Sequence, residues 1–230
     1  LRAAWAKIAA LAATLSNAAA PPMPDVTIYG PAMSTYVRTA RMACAEKGIT
    51  HALEEVDFGS IEYRRLHPFN KVPAMRHGDF VLYETEAICR YVDRVFPGPA
   101  LQPKDIKAQA RMDQWLSAIG DYVYAVMIEE LCWERLIIPM GGGQPDEAKI
   151  KAALPKVKEQ LAIFEAALKN SEFLAGAEPS LADFMLFPIL VYVKATPEGQ
   201  ALLQKAPKVR AWLDRIGARP SAAATDPTRG

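Results

Sequence analysis

The sequence is short of cysteine, and the few it has are not arranged to do chemistry together. Cys44, Cys89 and Cys132 are the only 3 thiols in 230 residues, and no C-x-x-C pair or metal-type spacing joins them. Each lies in an apolar helical stretch, where a thiol packs as a small hydrophobe. So sparse a set fits a reducing cytosol better than an exported, disulfide-stapled chain. The histidines His51, His67 and His77 show no ligand spacing, so neither a metal hydrolase nor any bound metal is expected. No G-x-S-x-G elbow occurs, and Gly141-Gly142-Gly143 lacks the lysine and hydroxyl residue of a phosphate-binding loop. Charge is not concentrated either. Lys and Arg number 27 against 26 Asp and Glu, a net charge of +1, which provides no field for a phosphate backbone and makes nucleic acid a poor partner. No apolar run approaches the length needed to cross a membrane as a helix.

What is present is enough apolar material for a packed core, 51% of the chain. Residues 1–22 carry Arg2 and Lys7, an alanine-dominated run from Ile8 to Leu15, and then Asn17-Ala18-Ala19-Ala20. That pattern is like a weak secretory leader. Because Met23 directly precedes the first convincing strand, residues 1–22 are expected to be an extension outside the fold, with Met23 as the natural start.

Two halves then follow different rules. Within residues 23–97, Val26-Thr27-Ile28-Tyr29 is a β-branched and aromatic run closed by Gly30-Pro31, a buried strand and a turn. Ser34 to Lys47 spaces its apolar residues as a helix ending at Gly48. Ala52 to Val56 reads as a second strand, parallel to the first through that crossover. A short helical connection leads to strands over Val72–Met75 and Phe80–Tyr83, a hairpin about His77-Gly78-Asp79. A helix over Glu84–Val95 completes a β-α-β-α-β-β-α order. Prolines at 97, 99 and 103 mark a linker over residues 98–104. Residues 105–220 read as all-α, with helices over Ile106–Leu136, Glu147–Leu168, Leu181–Val193 and Pro207–Ile216. Residues 221–230 are expected to be a flexible tail.

Particular motifs carry a resemblance. Asn70-Lys71-Val72-Pro73-Ala74, followed eleven residues after the proline by Glu84-Thr85-Glu86-Ala87-Ile88, resembles the glutathione-binding half of the glutathione transferases. There a Val-Pro pair with a cis proline precedes the third strand, and an acidic–hydroxyl pair opens the third helix. Tyr29-Gly30-Pro31-Ala32-Met33-Ser34 resembles the opening of the plant-type phi class, whose serine at this place is catalytic. Phe173-Leu174-Ala175-Gly176 and then Ser180-Leu181-Ala182-Asp183 is similar to the family's capping signal before its central helix. The likeness runs from Val26 to Ile216. It implies an α/β thioredoxin-like N-terminal domain followed by an all-α helical-bundle C-terminal domain. It also implies a cytoplasmic, homodimeric glutathione S-transferase that takes glutathione as co-substrate and a small hydrophobic electrophile, in detoxification. Two alternatives are a glutathione-dependent peroxidase and a non-catalytic binding protein on the same fold. A disulfide-exchanging enzyme would need a cysteine where Ser34 stands.

The chemistry asks for a stabilised sulfur anion. A free thiol has a pKa of about 8.5, so only about 3% is thiolate at neutral pH, and the thiolate is the nucleophile. Ser34, at the start of the first helix, can donate a hydrogen bond to sulfur where the helix end favours negative charge. Taken alone, the same position equally suits a plain N-cap. Thr35 is the rival hydroxyl and Tyr29 a more distant one. Val72 before Pro73 offers extended backbone for the cysteinyl unit of glutathione. Glu84 and Thr85 can hold the γ-glutamyl ammonium and carboxylate, though Glu84 could simply complement the helix dipole. Lys71 stands where phi-type relatives carry glutamine and can reach the glycyl carboxylate or remain solvated. The His-Lys pair that assists there in those relatives is missing, leaving Arg64 and Arg65 as substitutes. By family position, Met33, Tyr36, Trp115, Tyr122 and Met127 are candidates for the electrophile pocket, with simple core packing as the alternative for each. Phe69 resembles an aromatic that some relatives insert into a partner subunit.

Overall fold

The computed structural model describes residues 25–228; the 1–22 extension and the Met23 start lie outside the described residues. Strand β1 (Val26–Tyr29) buries Val26 and Ile28 and leaves Thr27 and Tyr29 half-buried, the two-residue alternation of a pleat. It pairs in parallel with β2 (His51–Glu54) and antiparallel with β3 (Ala74–His77), which pairs antiparallel with β4 (Phe80–Tyr83). The sheet order is β2-β1-β3-β4. Helices α1 (Thr35–Glu46), α2 (Ile61–Leu66) and α3 (Thr85–Val95) complete the expected order.

Strand limits differ from the sequence reading for physical reasons. The third strand starts at Ala74 rather than Val72, because Pro73 has no N–H to give the ladder. His77 pairs with Phe80, so the hairpin turn is only Gly78-Asp79, with Gly78 at φ 57°. The second strand runs over His51–Glu54, one residue earlier than the 52–56 reading at its start and two at its end.

Lys47 fastens the linker. Its ammonium lies 3.1 Å from the Asp93 carboxylate and 2.9 Å from the carbonyl of Pro99, and both charged side chains are buried. Asp93 also accepts the Leu101 amide at 2.8 Å, while the Leu101 carbonyl receives the Leu181 amide at 3.0 Å. The proline-rich connection is thus bonded to both halves.

The second half is helical as expected: α4 (Ile106–Ala118), α5 (Glu147–Ala167), α6 (Leu181–Ala195), α7 (Pro197–Leu203), α8 (Pro207–Gly217) and α9 (Pro220–Ala224). Two features depart from the sequence reading. The long helix predicted over 106–136 keeps α-winding only to Ala118, then widens into π-helix over Ile119–Val123 and Ala125–Ile137. The Tyr124 amide bonds to the Ile119 carbonyl and the Ile138 amide to that of Trp133, both five residues back. The first four residues of the expected 221–230 tail instead belong to α9, packed on α1. Arg38 donates to the Ala222 carbonyl at 3.0 Å, and Arg219 reaches Glu46 at 2.7 and 2.6 Å.

Helix α6 is the centre of the bundle. Phe184, Leu186, Ile189 and Leu190 are all fully buried, each contributing about 1.5–3 kcal/mol relative to exposure. Its start is held by Asp183, which is 0% exposed. The carboxylate accepts the Ser180 amide and hydroxyl at 2.9 Å each, the Leu174 amide at 2.9 Å and the Trp212 indole N–H at 2.8 Å. Burial raises the Asp183 pKa, and those four donors act against it. The capping box expected from Ser180 and Asp183 is present, extended to two further donors from distant parts of the chain.

Candidate active site

The turn after β1 places Ser34. Gly30 has φ 139°, and a β-carbon there would lie 2.6 Å from Val37 Cγ2 and 3.0 Å from the Val72 side chain. Only glycine lets the chain pass between them. The Ser34 amide bonds to the Pro31 carbonyl at 3.0 Å, closing the turn. Ser34 itself is extended (φ −68°, ψ 128°), and its Oγ accepts the Val37 amide at 3.3 Å. It is therefore an N-cap. That bond uses one lone pair and leaves the hydroxyl proton without a protein acceptor among the described residues, so capping and donation to a ligand are compatible. The first turn of α1 carries no acidic residue to offset the positive helix end.

Ser34 opens into a cleft of about 1030 Å³ whose wall includes Lys71, Val72, Glu84 and Thr85. Val72-Pro73 is a cis peptide bond. Neither the N–H nor the C=O of Val72 takes part in a protein hydrogen bond among the described residues. Lys71 is exposed and its ammonium has no described partner, while its carbonyl accepts the Tyr63 hydroxyl at 2.5 Å. Glu84 precedes α3 with φ 72°, a left-handed conformation costing a non-glycine residue about 1 kcal/mol. Its side chain caps nothing and stays exposed in the cleft. Thr85 follows as the first helical residue, where the amide has no intrahelical acceptor. The arrangement presents an unpaired strand-like backbone, a helix start, a carboxylate and an ammonium around one hydroxyl.

The opposite wall comes from α1, α3, the π-wound stretch and α6. Tyr36 and Tyr124 stack with centroids 4.6 Å apart and planes at 24°. Gly120, Asp121, Glu129 and Met185 lie beside them, with Glu86, Ala87 and Arg90 closing the side. Burial raises the Tyr36 phenol pKa, and the neighbouring Tyr124, Glu129, Glu84 and Glu86 push it further up. Burial likewise raises the Glu86 carboxyl.

The sequence-derived candidates separate on this geometry. Ser34, Lys71, Val72, Glu84, Thr85 and Tyr36 share the cleft, and Pro73 is buried behind it. Thr35 is buried, does not line the cleft, and its Oγ1 has no partner among the described residues. Met33 lies outside the lining, its carbonyl receiving the Tyr192 hydroxyl at 2.6 Å. Trp115 donates to the Leu174 carbonyl at 3.0 Å and packs on Phe164, Met127 is fully buried, and Tyr122 faces solvent. These three were candidates by family position on the long helix, and the structure places none of them on the cleft wall. Arg64 and Arg65 are exposed on α2 and do not line the cleft, nor does Tyr29.

Sequence reasoning missed Tyr124, Asp121, Glu129 and His67. His67 is buried against Tyr83, with ring centroids 4.9 Å apart, and its Nδ1 has no partner among the described residues. Burial lowers its pKa, partly opposed by the Glu84 charge. Nothing in the local pattern marks it. Nor does the apolar pattern mark the other three, because the buried residues Ile119, Val123, Met127, Ile128, Leu131 and Cys132 also suit α-helical spacing. All three cysteines are free and buried, and burial pushes the Cys44 and Cys132 thiols up to about 12. None of them lines the cleft.

Comparisons with known proteins agree with this geometry. The glutathione S-transferase N-terminal domain model matches residues 33–95, and the C-terminal domain model matches residues 117–220. A probable glutathione S-transferase of rice (Oryza sativa subsp. japonica) is 32% identical over 208 residues, covering 86% of this chain and 94% of the relative. The structure of a glutathione S-transferase I bound with lactoylglutathione superposes with a TM-score of 0.81 at 30% identity, covering 88% of this chain and 98% of its own. The maize enzyme in complex with an atrazine glutathione conjugate gives 0.80 at 29% identity, with coverage of 88% and 96%. A four-stranded mixed sheet with its helices, followed by a helical second half, is thus shared with proteins of one kind, and the chain belongs to the glutathione S-transferase family.

Proposed function

We propose that this protein is a glutathione transferase in which Ser34 donates a hydrogen bond to the glutathione sulfur and holds it as thiolate for attack on a hydrophobic electrophile. One observation carries the reading: the Ser34 hydroxyl sits at the α1 N-terminus in the cleft that Val72, Glu84 and Thr85 also line, with its proton unassigned. Lowering the thiol pKa by about two units corresponds to about 2.7 kcal/mol. That is within reach of one charge-assisted hydrogen bond and a helix end. The donor is strengthened because the same oxygen already accepts the Val37 amide.

The tripeptide is held by groups otherwise unused. The Val72 backbone pairs with the cysteinyl unit as a short strand addition. The α3 start and Thr85 take the γ-glutamyl carboxylate, Glu84 faces its ammonium, and Lys71 takes the glycyl carboxylate. The electrophile rests on the Tyr36–Tyr124 stack. That aromatic seat favours conjugation over peroxide reduction, which needs the same thiolate but no such platform.

The protein acts as a homodimer in the cytosol in this reading. Phe69, 69% exposed beside Tyr83 and His67, supplies an aromatic knob for a partner subunit. The sparse, unpaired cysteines fit a reducing compartment. Among the described residues no helix is long and apolar enough to cross a membrane.

Retention on immobilised glutathione, elution by free glutathione, and conjugation of 1-chloro-2,4-dinitrobenzene test the proposal together. Retention without conjugation identifies a binding module instead. Passage straight through the column contradicts the site assignment.

A further inference from the structure

The electrophile side of the cleft carries a charge pattern that the transferase reading does not require. The lining of the whole cleft includes four carboxylates, Glu84, Glu86, Asp121 and Glu129, against two cations, Lys71 and Arg90. Arg90 is already committed: it donates to Gln102 at 3.0 Å and to Asp113, and lies 3.8 Å from Glu86. Lys71 stands on the glutathione side. Asp121 and Glu129, which no described salt bridge neutralises, therefore face the aromatic seat uncompensated.

The unusual helix is what brings them there. Gly120 and Glu129 are nine residues apart. At 3.6 residues per turn that is two and a half turns, which puts them on opposite faces. The π-helical ladder has about 4.4 residues per turn, so nine residues make about two full turns and both face the cleft. Tyr124 falls between them on the same face. Without the π-winding, Glu129 would point away from the stacked rings. With it, negative charge reaches Tyr36, whose phenol ionises less readily because of burial first and Tyr124, Glu129, Glu84 and Glu86 after it.

We propose that this wall sets the charge class of the second substrate: neutral and cationic electrophilic arenes stack on Tyr36 and Tyr124, while arenes bearing a carboxylate or sulfonate are rejected by Asp121 and Glu129. The inference rests on the proposed transferase function and deepens it. Bound glutathione sharpens the effect, because its thiolate form brings about two net negative charges into the same cleft. A further anion on the electrophile meets repulsion from both the peptide and the wall. A cationic arene gains from the carboxylates and from the faces of the tyrosine rings.

The test compares three haloarenes of similar shape: 1-chloro-2,4-dinitrobenzene, 4-chloro-3,5-dinitrobenzoate and 4-chloro-3-nitrophenyltrimethylammonium. For each, kcat/KM is divided by the rate constant for free glutathione thiolate in solution, which removes intrinsic reactivity. The expected acceleration is about tenfold smaller for the benzoate than for the neutral arene at low salt, and at least equal to the neutral arene for the cation. The gap should narrow in 0.5 M salt and in the D121N/E129Q double variant, read as the ratio of the two substrates within one preparation. Both side chains are exposed, so the variant is expected to fold. Equal accelerations for all three arenes, or a gap unmoved by the double substitution, overturns the proposal while leaving the transferase function standing. No acceleration for any of the three counts against both.

Discussion

Replacing Asp183 by alanine is expected to cost more stability than any ordinary helix cap does. A surface cap lost to alanine costs about 1 kcal/mol. Asp183 is fully buried and accepts four hydrogen bonds, at 2.8–2.9 Å, from the Ser180 amide and hydroxyl, the Leu174 amide and the Trp212 indole. Alanine leaves those donors in a water-free core at about 1–3 kcal/mol for each one left unmet. The Ser180 hydroxyl can rotate to another acceptor and the surroundings relax in part, so the expected loss is about 4–5 kcal/mol. For a domain of this size that is roughly 8–20 °C in Tm. Asparagine should lose less, about 2–3 kcal/mol, because its carbonyl can keep Leu174 and Trp212 while its amide faces the Ser180 donors. Urea unfolding followed by tryptophan fluorescence measures both, and Trp212 reports on the site directly. A loss below 1 kcal/mol for Asp183→Ala would refute the reasoning, because it would mean the network is not what anchors α6.

Two further outcomes are expected. Glu84→Gly should separate stability from binding: glycine accepts φ 72° without strain, so Tm should hold or rise, while glutathione affinity by calorimetry falls about tenfold as the γ-glutamyl ammonium loses its partner. A fall in both would show that Glu84 is structural. The α9 clamp should be sensitive to acid. Burial alone would raise the Glu46 carboxyl, but the hydrogen bonds from Arg219 and Ser221, with the Arg219 charge, hold it below its ordinary 4.5. A depressed folded-state pKa means that this stabilisation is full above 4.5 and is lost as pH falls through the lower folded value. The protection factors of the amides of residues 221–225, which divide out the intrinsic pH dependence of exchange, should therefore fall on acidification in the wild type, with a weaker pH dependence in Glu46→Gln. Equal pH dependence in the two would rule out the clamp.

How much could be read beforehand follows from where the information sits along the chain. Val26-Thr27-Ile28-Tyr29, the Gly30 turn and the Ser180–Asp183 cap are specified by neighbours a few residues apart, and they form as expected. The segments Lys71-Val72-Pro73 and Glu84-Thr85 stood out through the family resemblance, and the structure brings Lys71, Val72, Glu84 and Thr85 to one cleft with Ser34. The electrophile side was not legible in this way. Its candidates on the long helix, Trp115, Tyr122 and Met127, came from family position alone, whereas the structure puts Tyr124 and Glu129 on the cleft wall. The apolar spacing from Ile119 to Cys132 fits an ordinary α-helix, so it gave no warning of the wider winding. His67 depended on contacts with Tyr83 and Phe69, which no local pattern encodes. The last helix was missed because its hold on α1, through Arg38, Glu46 and Arg219, joins residues more than 170 positions apart.

The claim that everything functional depends on is that the Ser34 hydroxyl stabilises the sulfur anion. Titrating enzyme-bound glutathione by its ultraviolet thiolate absorbance tests this directly, in the wild type and in Ser34→Ala. The account predicts a bound-thiol pKa about two units below the free value of about 8.5 in the wild type. In the variant that pKa should return most of the way, with glutathione still bound. An unchanged pKa in Ser34→Ala would contradict the account.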